Sequence, residues 1–289
     1  GQYLFSRIAR FHVNFAVGSE FGYLEHFLTP QSLVIALSQS GETIDVIEPL
    51  IKAKKEKGVR VAALVNVLGS TLYRMADFSV LLGAGPEKCV LATKSYTAKL
   101  AVLLMTAYAL DGRLDEGKEL VLRAADGVEE LLRDGIRDKV EALAERIYDR
   151  EHIFLIGRGL SYSSALEAAL KIKEVTYIHA EGFAGGELKH GVIALIEQGT
   201  PCIVFAPSDE TQAAILSGAQ ELKARGGFII GISPKCSDVF DYWIPVADVG
   251  DASPIVNAVP AQLLAYCLSI KRGTDPDKPR NLAKSVTVK

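Results

Sequence analysis

The sequence is poor in the residues that mark several protein classes. It has 4 cysteines in 289 residues, and Cys89, Cys202, Cys236 and Cys267 form no C-x-x-C pair. That scarcity excludes a disulfide scaffold and a cysteine-rich zinc module, and leaves reduced thiols in a cytoplasmic protein as the expectation. Basic charge is not in excess: Lys plus Arg number 32 against 35 for Asp plus Glu, a net charge of −3. Binding to a nucleic-acid backbone is therefore not expected. Apolar runs fall short of the ~18 residues of a membrane span. The longest candidate, residues 100–110, is interrupted by Thr106 and Tyr108. Residues 1–7 lack the charged-then-apolar order of a secretory signal, so no leader is expected. Hydrophobic residues are 49% of the chain, ample for a buried core. The length suggests about two domains.

Short β-branched runs alternate with longer amphipathic ones. Leu33, Val34, Ile35, Ala36 and Leu37 read as a fully buried strand. A helix follows over residues 44–57, Gly58 stops it, and residues 59–65 form the next strand. The second half repeats the order: a strand at 201–206, a loop at 207–211, a helix to about 224, a stop at Gly226 and a strand at 228–233. Two weak copies of one strand–loop–helix–strand unit predict an α/β protein. It is expected to hold two subdomains, 1–115 and 151–270, each a parallel sheet flanked by helices in an αβα sandwich. Residues 116–150 are charge-rich and helical in pattern, with Leu120, Leu122, Val128, Leu131 and Leu132 as apolar positions, and are expected to form a helical connector. Residues 271–289 lose periodicity around Pro276 and Pro279; composition alone reads them as an irregular, disordered tail.

The loop Ser38-Gln39-Ser40-Gly41-Glu42-Thr43 sits where a strand ends and a helix begins. Helix N-termini offer unpaired N–H groups and a positive dipole end. Three hydroxyls and an amide add donors, and Gly41 permits close approach, so the loop suits a phosphate. Capping by Ser40 or Thr43 alone is the competing reading. The loop is neither a Walker A nor a dinucleotide fingerprint. The matching loop in the second half has lost the pattern, so one anion site is expected.

A helix predicted over 164–177 carries Glu167, Lys171 and Glu174 as a narrow polar stripe at spacings of four and three. Apolar residues flank the stripe: Leu166, Ala169 and Leu170 on one side, Ala168, Ile172 and Val175 on the other. Either a surface ion-pair ladder or a polar cleft fits; in a cleft, Glu174 is a candidate general base with Lys171 tuning its charge. His190 lies in a Gly-rich stretch, and a lone histidine is more often structural than catalytic. His152 and His179 have only that structural reading. No Cys, His or Asp spacing suggests a metal site, and no cofactor is implied.

Taken together, these segments resemble the isomerase half of the glutamine–fructose-6-phosphate aminotransferase family, a tandem sugar-isomerase (SIS) arrangement. The matching stretches are residues 18–21, 38–43, 92–94, 165–174, 177–181, 186–191 and 277–288. Gly186-Glu187-Leu188-Lys189-His190-Gly191 and Pro279-Arg280-Asn281-Leu282-Ala283-Lys284-Ser285-Val286-Thr287-Val288 are the specific ones. The resemblance implies that Ser38, Gln39, Ser40 and Thr43 hold a sugar phosphate, with Val90 and Ala283 beside the substrate. It gives Glu174 the proton transfer between C1 and C2, Lys171 the charge of the enol-type intermediate, and His190 ring opening from the other subunit of a homodimer. Lys284 would form a Schiff base with the open-chain ketose, which turns the tail at 271–289 into an active-site lid. The reaction implied is fructose 6-phosphate plus ammonia to glucosamine 6-phosphate, without metal or cofactor. The glutaminase half of that family is absent here, and the first SIS helix is entered at about Tyr3, as in a truncated chain. Ala92 stands where the synthases usually carry Ser, a change met in SIS deaminases. A glucosamine-6-phosphate deaminase and a non-catalytic phosphosugar-sensing module are the alternative readings.

Overall fold

The computed structural model describes residues 1–133 and 135–284. Ser285, Val286, Thr287 and Val288 of the C-terminal motif lie outside the described residues. A short helix α1 (Gln2–Leu4) runs on as a π-type turn over Phe5–Ala9, and α2 (Gly18–Leu24) follows. Then come β1 (Leu33–Ser38), α3 (Ile44–Lys57), β2 (Arg60–Val65), α4 (Thr71–Met75) and β3 (Phe78–Leu81). Three helices come next: α5 (Lys94–Leu110), α6 (Leu114–Arg133) and α7 (Ile136–Ile147). The second unit comprises β4 (His152–Gly157), α8 (Leu160–Thr176), β5 (His179–Ala184), β6 (Pro201–Phe205), α9 (Gln212–Lys223), β7 (Phe228–Ser233), β8 (Tyr242–Pro245) and α10 (Ser253–Lys271).

Two parallel sheets result, ordered β1-β2-β3 and β5-β4-β6-β7-β8. The fold is α/β with helices on the sheets, as the alternating pattern predicts. The internal repeat extends further than the sequence shows. β2–β3 matches β7–β8, and each ends in a long apolar helix, α5 or α10.

β1 departs from the expected full burial. It has one strand neighbour; the face bearing Val34 and Ala36 packs onto Leu50, Ala53, Val61 and Ala63, and of the other face only Ile35 is half-buried, against the main core. Leu33 and Leu37 on the other face are exposed. β6, with neighbours on both sides, is buried at every residue.

The expected connector is part of the main core. On α6 the inward positions are Gly117, Ala124, Gly127 and Leu131, whereas Leu122 and Leu132 are exposed. Small residues let the helix axis approach closely: a Cβ on Gly117 would stand 2.8 Å from Tyr108 Cβ. α7 adds Val140, Leu143 and Ile147 to the same core. The longest uncharged apolar stretch is in α10 and not at 100–110; α10 packs on α8 and α7 and is mostly buried, as a core helix is. α8 begins at Leu160, four residues before the predicted start, because Gly159 supplies its N-cap at φ 54°. β5 is a strand that a Gly-rich sequence conceals. Its Gly182 is needed where α8 rests on the sheet, since a Cβ there would meet Ala165 O at 2.8 Å.

Candidate active site

The loop at 38–43 leaves the carboxyl end of β1 and enters α3. Ser38 Oγ accepts the Gly41 N–H at 3.0 Å and lies 3.0 Å from Thr43 Oγ1. Ser40 Oγ accepts the Glu42 N–H at 3.2 Å. Gly41 adopts φ +69°, and a Cβ there would fall 2.1 Å from Ser70 Oγ, so no other residue fits. Glu42 turns away from the loop and accepts the Thr71 N–H at 2.7 Å, a bond that holds its carboxyl below the ordinary range. No side chain caps α3. The capping alternative is thereby removed: the hydroxyls shape the loop, and the helix N-terminus stays open to an anion. In the second half, Asp209 accepts Thr211 N–H and Oγ1–H at 2.8 and 2.6 Å. A carboxylate closes that loop, which accords with its lost donor pattern.

On α8 the polar stripe is a buried ion cluster. Lys171 is 2% exposed and donates to Glu174 Oε2 at 2.7 Å; Glu167 Oε1 stands 3.6 Å away. Ala168, Ile172 and Val175 are buried on one flank, while Leu166 and Leu170 on the other are exposed. The stripe is thus a largely buried ion cluster, not a surface ladder. Burial pushes the Glu167 carboxyl up, and the Lys171 charge opposes that. Lys171→Met is expected to cost about 3–5 kcal/mol of stability, because it leaves partly buried carboxylates without their cation. Urea denaturation checks it; a loss below about 1 kcal/mol, the range of exposed pairs, would contradict the burial argument.

The tail is docked over the described residues. Val90 N–H donates to Asp277 O at 3.1 Å, Arg280 N–H to Tyr177 Oη at 2.8 Å, and the Arg280 guanidinium covers the Tyr177 ring at 4.0 Å. Lys284 Nζ donates to the carbonyls of Val90 and Leu91, each at 3.3 Å. Composition misread this tail because its partners are backbone groups and one ring distant in sequence. Ala283, next to Lys284, is exposed.

Three residues of this region carry no signal in the sequence. Glu87 receives hydrogen bonds from Thr93 and Ser95. Tyr96 and Lys99 share a face of α5; burial raises the Tyr96 phenol and lowers the Lys99 ammonium. Lys99 lies within electrostatic reach of Glu167, Glu87, Lys171 and Lys284, so α5, α8 and the tail bring charges near one lysine. Their spacing alone matches any amphipathic helix. His190 is exposed, in a 3₁₀ turn over Glu187–His190. His152 and His179 face each other at 3.2 Å across β4 and β5.

The sequence profile described as SIS domain matches residues 1–109 and 146–272. The glutamine–fructose-6-phosphate aminotransferases [isomerizing] of Pyrococcus horikoshii and Thermococcus kodakarensis are 44% and 45% identical over all of this chain. The chain spans about half of each, 49%. Among solved structures, the C-terminal domain of glucosamine-fructose-6-phosphate aminotransferase from Francisella tularensis superposes with a TM-score of 0.89 at 33% identity, covering 96% of this chain and 81% of that one. Glucosamine-6-phosphate deaminase from Thermotoga maritima shares the fold, with a TM-score of 0.81 at 24% identity over 99% of this chain and 85% of its own.

Proposed function

The chain belongs to the SIS-domain family, and on that premise we propose that it is the isomerising half of a glutamine–fructose-6-phosphate aminotransferase. The observation that carries this reading is the seat of Lys284 against the Val90 and Leu91 carbonyls, with Lys99 of α5 within electrostatic reach of both Lys284 and Glu167 of α8. A phosphosugar sensor has no need of a lysine seated in this way.

The sugar phosphate is held by Ser38, Gln39, Ser40 and Thr43 at the N-terminus of α3, with Val90 and Ala283 beside the sugar. His190 opens the ring and Lys284 captures the ketone. The C2 oxygen leaves as water as that Schiff base forms; ammonia then adds to C2 and the Nζ–C2 bond breaks, which frees the Lys284 amine and leaves the C2 imine. Glu174 removes a C1 proton, Lys171 balances the charge of the enol-type intermediate, and a proton returned to C2 gives glucosamine 6-phosphate. The base supplies about 10²–10⁴-fold, with orientation and fixed charge supplying the rest. A glutaminase segment upstream and a cytoplasmic setting belong to the same proposal, because the aminotransferase relatives are about twice as long. Ala92 alone favours the deaminase alternative, and its loop is held by Thr93 and Ser95, not by residue 92.

The test is formation of glucosamine 6-phosphate from fructose 6-phosphate and ammonium ion, with deuterium from solvent at C2. No deuterium in product or recovered aldose, despite binding of the sugar phosphate, would leave the sensing module as the better reading. The homodimer has its own check. A His190 that serves the neighbouring site predicts that mixing His190→Ala and Glu174→Gln chains restores about a quarter of the sites by random pairing. Mixtures shown by dual-tag capture to exchange subunits, yet inactive, would mean each site is built from one chain.

A further inference from the structure

Glu87 lies in the loop between β3 and α5, outside every residue role given above. Its Oε1 accepts the Thr93 N–H at 3.0 Å, the Ser95 N–H at 2.9 Å and the Ser95 hydroxyl at 2.7 Å, and Thr93 Oγ1 reaches Oε2 at 3.4 Å. These bonds close residues 87–95 into a turn and satisfy backbone donors at the start of α5, which no cap residue serves. Within the turn, the Val90 and Leu91 carbonyls point at Lys284 Nζ, while the Val90 N–H holds Asp277 O. The tail is therefore tied to this turn at two places seven residues apart. Burial by itself would raise the Glu87 carboxyl. The donors from Ser95 and Thr93 and the Lys284 charge outweigh it and hold the carboxyl below its ordinary range. It is an anion at neutral pH.

Two carbonyl dipoles backed by a fixed carboxylate make a seat for an ammonium group. We infer that Glu87 is the positioning residue for Lys284: it builds the turn whose carbonyls hold the lysine in place until sugar arrives. This rests on the reading of Lys284 as the Schiff-base amine. In that step the ammonium gives one proton to solvent, the Nζ–C2 bond forms, and the C2 oxygen leaves as water. No oxidant or reductant takes part. The seat sets where the amine stands, and Glu87 itself touches no reacting atom.

The measurement is competitive acetylation of the full chain with acetic anhydride across pH, read at Lys284 by mass spectrometry against exposed lysines. The charges around Lys284 are Glu87 from the turn and Lys99 from α5, with Glu167 and Lys171 of α8 next to Lys99. All but Glu87 are unchanged in the variant. Glu87→Ala removes every acceptor that closes the turn, and labelling of Lys284 at fixed pH is expected to rise several-fold. Glu87→Gln keeps an acceptor oxygen for the turn and is expected to restore labelling to within about twofold of the wild type. Lys284 labelling equal in the wild type and Glu87→Ala overturns the inference. Borohydride trapping of fructose 6-phosphate on the wild type tests the underlying reading separately. Its failure removes the Schiff-base role of Lys284, while the acetylation profile still decides what Glu87 does.

Discussion

Glu174→Gln is expected to stop solvent-deuterium incorporation from fructose 6-phosphate, slowing it by about 10²–10⁴-fold, the usual contribution of a positioned base. Sugar-phosphate affinity is expected to stay within about twofold, because the lost function is exercised only as the C1 proton moves. Gln has the shape of Glu and still offers Lys171 an acceptor at the place where Glu174 Oε2 now lies 2.7 Å from Nζ. It has no carboxylate to take the proton. The fold is therefore expected to survive, with an unchanged urea midpoint as the control. Exchange at the wild-type rate in this variant would remove Glu174 from proton transfer and turn attention to Glu167, the other carboxylate on Lys171.

The second large effect belongs to the phosphate loop. Ser40→Ala combined with Thr43→Ala is expected to weaken fructose 6-phosphate binding by about 2–4 kcal/mol, roughly 30- to 1000-fold, from two hydrogen bonds to a charged group with partial compensation. Thr43 is bonded to Ser38, and Ser38 also holds the Gly41 N–H, so the loop keeps its main internal bond when Thr43 loses its hydroxyl. The Gly41 carbonyl, which accepts the Leu72 N–H at 3.0 Å, keeps the backbone in place. The loss is therefore expected in ligand affinity and not in the melting temperature. Calorimetry showing equal affinity for the double variant and the wild type would refute the phosphate assignment of the loop.

The legible part of the site is local. The loop at 38–43 and the stripe of Glu167, Lys171 and Glu174 are each one turn or one helix face, and their periodicity and hydroxyl density can be read along the chain. His190 and Lys284 were visible only through resemblance, since a lone histidine and a lysine in an irregular tail have no spacing of their own. Glu87 and Lys99 were not legible at all. What distinguishes them is that α5 and the turn before it meet α8 and residues 277–284, a contact across most of the chain length.

The same division runs through the fold. Sequence by itself determined the α/β class and the repeat, because apolar runs bounded by turn residues report burial on both faces of a parallel strand. It also determined the ends of α3: Gly58, at φ +66°, stops the helix through its own backbone freedom. Tertiary structure alone decided that β1 is an edge with Leu33 and Leu37 exposed, since pairing depends on which strands lie alongside. It decided that α6 packs through Gly117, Gly127 and Leu131 while Leu122 and Leu132 stay exposed, because close approach of neighbouring chain rewards the absence of side chain at the two glycines. It also decided that Lys171 is buried between two carboxylates. The stripe on α8 reads equally well as an exposed ladder, and only the packing of α10 and the second sheet around that helix takes water away from it.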